Sequence, residues 1–468
     1  MDTQSELNQL RAELESLKQT QSSGLVFHRY PEEGDAQLLL QGMIPSLSFN
    51  SHHSTVKNDS GSPPHLLFEG DNLSTLTALA ATHKDRIDLI YIDPPYNTGN
   101  RSFVYNDAYH STDGFKHSKW LSFMHPRLVL AKELLSKEGI IFVSIDDNSQ
   151  AVLRLLMDSI FGSANFIGDV IRKTKSTTPD AKSGFNLQHE NTLVYAKHRP
   201  SVSLKGKEKD FSRYKNPDNH PRGPWVSENP SARSGNPEHS YFPITNPFTG
   251  QVDLPPEGRL WSFSKNTVQK HIDNGTIVFK KENDGGRGFI WRRYAADVKN
   301  RFQSLNSLDG VSNEYLNQVG TKELKSLGMA GKFSYPKPSS FVKHLASFFP
   351  KDAIVLDFFA GSGTTGHAIA ELNAEDSGQR QCILVTNNVE EDGNNNGIAQ
   401  DVTSERMRRV LTGGVNNEGC GLEGELHYYT VVFVNPEKAV ELESSEYVSS
   451  VQQTVSSLTE QRILLPVI

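Results

Sequence analysis

The 468-residue chain has only two cysteines, Cys382 and Cys420, too few for a disulfide framework or a cysteine-rich zinc site. A reducing, cytosolic setting is the resulting expectation. No apolar run reaches membrane-spanning length and no basic-then-apolar leader is present, which argues against a membrane span or a signal peptide. Hydrophobic residues make up 36%, below the usual globular share, so sizeable polar loops are expected. An excess of positive charge is also missing. The net charge is −7, which by itself disfavours a nucleic-acid partner. Its distribution reverses that reading: residues 171–233 hold 13 Lys and Arg against 6 Asp and Glu, whereas residues 371–446 hold 5 against 15. A basic middle and an acidic C-terminal part suit a DNA-facing surface, although a solvated polar loop region carries the same signature.

Residues 1–20 form an amphipathic helix pattern, with Thr3 and Glu6 as a capping box and Leu7, Leu10, Leu14 and Leu17 on an a/d seam. Glu6 and Glu13 at g and Arg11 and Lys18 at e suit a parallel homodimer; packing on the chain's own domain fits equally well. Residues 21–64 read as a linker, rich in Ser, His, Asn and Pro from 45 onward. Strand and helix patterns alternate over 65–197, with strands at 65–68, 87–92, 140–145 and 191–196 and helices over 118–137 and 148–160. The alternation stops over 198–334, a stretch of Pro, Gly, Asn, Arg and aromatics too long for a structureless loop. It reads as an inserted irregular domain with some β structure. Alternation resumes over 335–435, and the acidic, polar tail 436–468 has no readable role. The pattern predicts an α/β fold, a parallel Rossmann-like sheet with helices on both faces.

Two stretches carry chemistry. In Ile87-Asp-Leu-Ile-Tyr-Ile-Asp-Pro-Pro-Tyr96 a buried strand stops at two prolines, which cannot continue a ladder. Asp93, the Pro94 carbonyl and Tyr96 then sit at the strand's C-terminal end, where open α/β sheets bind ligands. Two acceptors beside a flat stacking surface fit an exocyclic amino group on a planar ring. Farther along, Gly361-Ser-Gly363-Thr-Thr-Gly366 follows a strand and opens a helix. This G-x-G-x-x-G pattern suits NAD or FAD as well as other nucleotides, and the missing Gly-Lys-Ser/Thr excludes a P-loop.

Asp93-Pro94-Pro95-Tyr96 matches the DPPY signature of S-adenosylmethionine-dependent DNA methyltransferases that modify base amino groups. Asp357-Phe-Phe-Ala-Gly-Ser-Gly-Thr-Thr-Gly366 resembles their cofactor loop, and Tyr335-Pro-Lys337-Pro338-Ser-Ser340 the motif that precedes it. With the DPPY block first and about 260 residues between the two, the order resembles the β class. Gly139–Asp147 and His189–Lys197 look like further family blocks. The resemblance covers about residues 65–197 and 335–411. It is closest to the Mod subunits of type III restriction–modification systems and their solitary relatives.

This resemblance implies a methyltransferase sheet with a target-recognition domain at 198–334. It assigns catalysis to Asp93, Pro94, Pro95 and Tyr96. It places Asp357 and the loop Gly361, Gly363 and Thr364 at the methionine part of S-adenosylmethionine, with Phe359 against the adenosine. Lys337 or Ser340 would touch the cofactor carboxylate, and the Asp71–Asn72 turn the adenine, with Asp71 alternatively a helix cap. The ribose ligand would be Asn387, Asn388 or Glu390, with Glu390 favoured. No metal is needed. The expected reaction is methylation of the N6 amino group of a flipped adenine in double-stranded DNA. N4-cytosine methylation and a catalytically silent DNA-binding relative are the alternatives. Type III systems add a restriction subunit with helicase and nuclease activities as a partner. Residues 97–115 would form a loop closing over the base.

Overall fold

The computed structural model describes residues 24–26, 34–55, 61–98, 116–178, 185–206, 208–389, 397–413, 421–460 and 464–466. The expected helix at 1–20 and nearly all of the loop at 97–115 lie outside them. The chain divides into two compact units: Gly206–Ser304, and the remainder of the chain on either side of it.

The larger unit is built on a nine-stranded sheet. Its strands in chain order are β1 (Ile44–Phe49), β2 (His65–Glu69), β3 (Ile87–Ile92), β4 (Leu135–Ile145), β5 (Phe166–Lys173), β6 (His189–Ala196), β7 (Ile354–Asp357), β8 (Gln381–Thr386) and β9 (Leu426–Val434). Across the sheet the order is β1-β9-β2-β8-β7-β3-β4-β6-β5. The run from β9 to β4 is parallel, while β1 and the β6–β5 pair are antiparallel at the two edges. The parallel strands are covered on both faces, which their continuous apolar runs require: Leu89, Ile90, Ile92, Val355 and Leu356 are all 0% exposed. Each fully buried aliphatic side chain contributes about 2 kcal/mol, so the strand ends that carry the polar motifs are fixed in place.

The helices over this sheet are α1 (Asn72–His83), α2 (Lys116–Leu134), α3 (Gln150–Phe161), α4 (Asn317–Ser326), α5 (Ser339–Ala346), α6 (Thr364–Asp376) and α7 (Glu405–Thr412). Three elements differ from expectation. The stretch expected as a linker, 21–64, supplies a helix at Asp35–Leu40 and the edge strand β1, which pairs along β9 from Ile44↔Val434 to Phe49↔Tyr429. An edge strand needs only one apolar face, so its mixed composition reads as loop. The strand β5 was not foreseen. It forms an antiparallel ladder with β6, from Phe166↔Tyr195 to Lys173↔His189. The unreadable tail folds as helices at Pro436–Leu442 and Ser445–Glu460, burying Ala439, Val448 and Val451 with Ile44.

The insertion is narrower than the expected 198–334. Residues 305–334 belong to the larger unit, where Tyr315 joins the core under β3 and Leu324 and Met329 form a cluster with Ile398 and Val402. The smaller unit has a three-stranded antiparallel sheet of Ile277–Phe279, Phe289–Tyr294 and Trp225–Glu228. Its aromatics form its core: the Phe263 ring stacks on Trp291 at 4.7 Å and 4°, and on Trp261 at 6.0 Å and 9°.

Candidate active site

Asp93 and Asp357 end neighbouring parallel strands, β3 and β7, which are in register at Leu356↔Ile90. Because parallel strands all end on the same side, the fold brings the two motifs to one sheet edge although most of the chain separates them.

The proline turn is braced from both sides. Trp120 Nε1 donates to the Pro95 carbonyl at 2.7 Å, and Ser149 Oγ donates to the Tyr96 carbonyl at 3.1 Å. Pro94 and Pro95 are buried. Asn97 turns the chain out with φ of 59°. Among the described residues, none donates to the Pro94 carbonyl.

Asp93 is at the centre of a charged cluster. Its Oδ1 accepts from the Tyr96 hydroxyl at 2.6 Å and its Oδ2 from Lys337 Nζ at 2.7 Å. Lys337 Nζ also donates to the Tyr96 hydroxyl oxygen at 2.8 Å and lies 3.6 Å from Glu190 Oε2. Glu190 in turn accepts from Arg172 Nε at 2.7 Å, and its Oε2 lies 3.2 Å from the Tyr96 hydroxyl oxygen, whose single proton goes to Asp93 or to Glu190. Burial acts to raise the Glu190 carboxyl, but the Arg172 guanidinium and then the Lys337 ammonium hold it well below the usual carboxylate range. Burial pushes the Tyr96 hydroxyl well above its ordinary value, and the Asp93 and Glu190 charges push the same way. Tyr96 therefore stays a donor. Sequence reasoning missed Glu190 and Arg172. The signal available was a charged residue at the head of the apolar run 191–196, and an arginine in a strand that was not recognised.

The Gly-rich loop packs at the end of β7. Asp357 is 3% exposed. Its carboxylate accepts from the Phe359 N–H at 3.0 Å and the Thr365 hydroxyl at 2.5 Å. Burial pushes its carboxyl up to about 7; those two hydrogen bonds only partly offset this, and the Asp93 charge adds to it. Gly361 and Gly363 have φ of 47° and 77°. A Cβ there would also meet the Phe333 ring and Thr403 Cγ2, at 3.1 and 3.2 Å. Backbone conformation and close packing thus both demand glycine at these positions. The loop is held from beneath by Arg406, which is fully buried. It donates to Ser362 Oγ at 3.1 Å and Thr364 Oγ1 at 2.9 Å and pairs with Glu323 at 3.2 Å. Thr364 also donates to the Lys337 carbonyl at 3.1 Å, joining this loop to the segment that carries the ammonium.

Other expected residues occupy different environments. Asp71 caps α1 by accepting from Leu73 N–H at 2.7 Å, and Arg127 lies 3.4 Å away. Asn72 is fully buried. Its amide donates to the Phe358 carbonyl at 2.9 Å and accepts from Arg127, so it ties the end of β2 to the end of β7 rather than presenting itself to a ligand. Phe359 is 8% exposed and packs with Phe358 and Phe123. Ser340 is spent on the Glu314 carbonyl at 2.7 Å and is not part of the Lys337 cluster. Asn387 and Asn388 follow β8, and Asn388 accepts from the Gln400 N–H at 3.2 Å. Glu390 lies outside the described residues.

The profile of a DNA methylase family, N6_N4_Mtase, matches residues 87–393. The chain is 36% identical over 394 residues to the StyLTI Mod subunit, a type III restriction–modification enzyme of Salmonella typhimurium. That match covers 76% of this chain and 58% of the relative, so the chain spans less than two thirds of that protein's length. The type II methyltransferase M.KpnI of Klebsiella pneumoniae is 32% identical over 74% of this chain and 86% of its own length. With the profile spanning both motif blocks and the insertion between them, the chain belongs to the DNA methylase family.

Proposed function

We propose that the chain is a site-specific DNA methyltransferase, moving a methyl group from S-adenosylmethionine to the N6 amino group of a flipped-out adenine. One observation carries this: the Asp93–Tyr96 turn and the Asp357 loop lie at the ends of adjacent parallel strands. The residues fit the cofactor. A buried carboxylate raised to about 7 gains a charge partner when a ligand ammonium arrives, which suits Asp357 to the methionine amino group. Asp71, Phe359 and Gly361–Thr364 are assigned to the rest of the cofactor, and Glu390 is retained for the ribose. Bound S-adenosylmethionine supplies a methyl group already activated by its sulfonium.

The chain's own contribution is placement and electrostatics. Asp93 and the Pro94 carbonyl each accept an N–H of the target amine, which favours a pyramidal nitrogen with its lone pair free. Tyr96 offers its ring to the base, at about 1–3 kcal/mol for such stacking. A stacked duplex hides that amine, so the base is extruded. Adenine is preferred to cytosine because the motif begins with Asp rather than Ser.

Gly206–Ser304 is assigned to target recognition, with Lys and Arg side chains for phosphates and base edges. The restriction–modification names of the type III Mod relatives support a restriction subunit as a partner beside double-stranded DNA, in the cytoplasm of a prokaryotic or phage-infected cell. The a/d seam of Leu7, Leu10, Leu14 and Leu17 is what supports a second copy of the chain. Incubating the protein with labelled S-adenosylmethionine and unmethylated DNA, then digesting to nucleosides, tests the reading. Label in N6-methyladenine is expected; label in N4-methylcytosine moves the assignment to cytosine, and no label refutes it.

A further inference from the structure

A cation already occupies the end of β3. Lys337 Nζ sits 2.7 Å from Asp93 Oδ2 and 2.8 Å from the Tyr96 hydroxyl, 5.0 Å from the centroid of the Tyr96 ring. On the methyltransferase reading, from which this inference starts, that is the acceptor and the stacking face the target base needs. A neutral ring amine is a poorer partner for a carboxylate than an ammonium is. It displaces Lys337 only if the ammonium keeps another anion.

Glu190 is that anion. Its Oε2 lies 3.6 Å from Lys337 Nζ, and both the residue and its Arg172 partner are buried. The Arg172 guanidinium is fixed by the Tyr315 carbonyl at 2.5 Å and Asn317 Oδ1 at 2.7 Å, so Glu190 is anchored and the ammonium must come to it. We propose that Glu190 is a positioning residue and that Lys337 moves between two carboxylates: on Asp93 while no base is present, on Glu190 once an amine reaches Asp93. Shortening the 3.6 Å gap to hydrogen-bond length is enough. Asp93 then loses its ammonium partner, keeping only the Tyr96 hydroxyl on Oδ1, and its Oδ2 faces the amine nitrogen as that nitrogen becomes positive.

The test uses the full chain, saturating tritiated S-adenosylmethionine and unmethylated duplex plasmid DNA. Lys337→Met should lower the KM for DNA several-fold, because no ammonium competes for Asp93. Glu190→Gln keeps an acceptor for Arg172 but removes the charge that draws Lys337 away, and kcat should fall at least ten-fold. The double variant should recover turnover relative to Glu190→Gln alone. Calorimetry with S-adenosylhomocysteine on each variant verifies that the site is folded. If Glu190 only braces its strand, Lys337→Met brings no recovery; that result, or an unchanged KM in Lys337→Met, overturns the proposal. Wild-type protein that labels DNA while the variants behave so defeats only the Lys337 exchange, whereas wild-type protein that labels nothing defeats the methyltransferase reading with it.

Discussion

Lys337 Nζ and Asp93 Oδ2 stand 2.7 Å apart, although 244 residues separate them in the chain. The ammonium comes from the segment leading to the Gly-rich loop and the carboxylate from the proline turn. One contact therefore joins the two halves of the site.

Asp357 gives a pH signature. Its folded-state value of about 7 exceeds the ordinary carboxyl value of 3.8, so the folded protein holds a proton that the unfolded chain releases. Stability without ligand therefore falls as pH rises from about 4 to about 7, by on the order of 4 kcal/mol. Asp357→Asn should raise the Tm of the ligand-free protein by several degrees at pH 8 and hardly at all at pH 4. Cofactor affinity in the wild type should climb with pH up to about 7 and then level off; in the variant it should be weak and flat. A scan of Tm and calorimetric affinity against pH checks both, and a pH-independent Tm difference would count against a protonated Asp357.

Arg406 carries the Gly-rich loop from below. Arg406→Met leaves Glu323 without its buried cation, a loss of about 3–5 kcal/mol. It also frees Ser362 and Thr364, so affinity for S-adenosylhomocysteine should fall at least ten-fold. Urea unfolding and calorimetry measure the two effects; full stability with unchanged affinity would show that the loop needs no such support.

The smaller unit should act on DNA alone. Replacing the exposed Lys281, Lys299 and Arg301 by alanine should weaken DNA binding and reduce its salt dependence by about one unit of slope per lost phosphate contact. S-adenosylhomocysteine affinity should not change. Binding isotherms across a salt series decide; an unaltered slope removes these side chains from the DNA contact.

Much of the site was legible because its signals are local. A strand closed by two prolines and a strand opening into Gly361–Thr364 each announce a sheet end within a few residues. What was not legible depends on pairing across the fold. Glu190 and Arg172 matter because β6 and β5 lie side by side, and Asn72 was assigned to the ligand because only the folded chain shows Arg127 and the Phe358 carbonyl claiming its amide. The strand β1 hid in polar composition because an edge strand is half exposed. The boundary at Ser304 was invisible since Tyr315 and Leu324 look like isolated apolar residues until the core receives them.

The most direct test of the central claim compares Asp93→Ala with the wild type in two assays on the same preparation. Asp93→Ala should bind S-adenosylhomocysteine within a few-fold of the wild type and transfer at least a thousand-fold less labelled methyl to DNA. Retained transfer by that variant would contradict the role of Asp93 as the acceptor that orients the target amine.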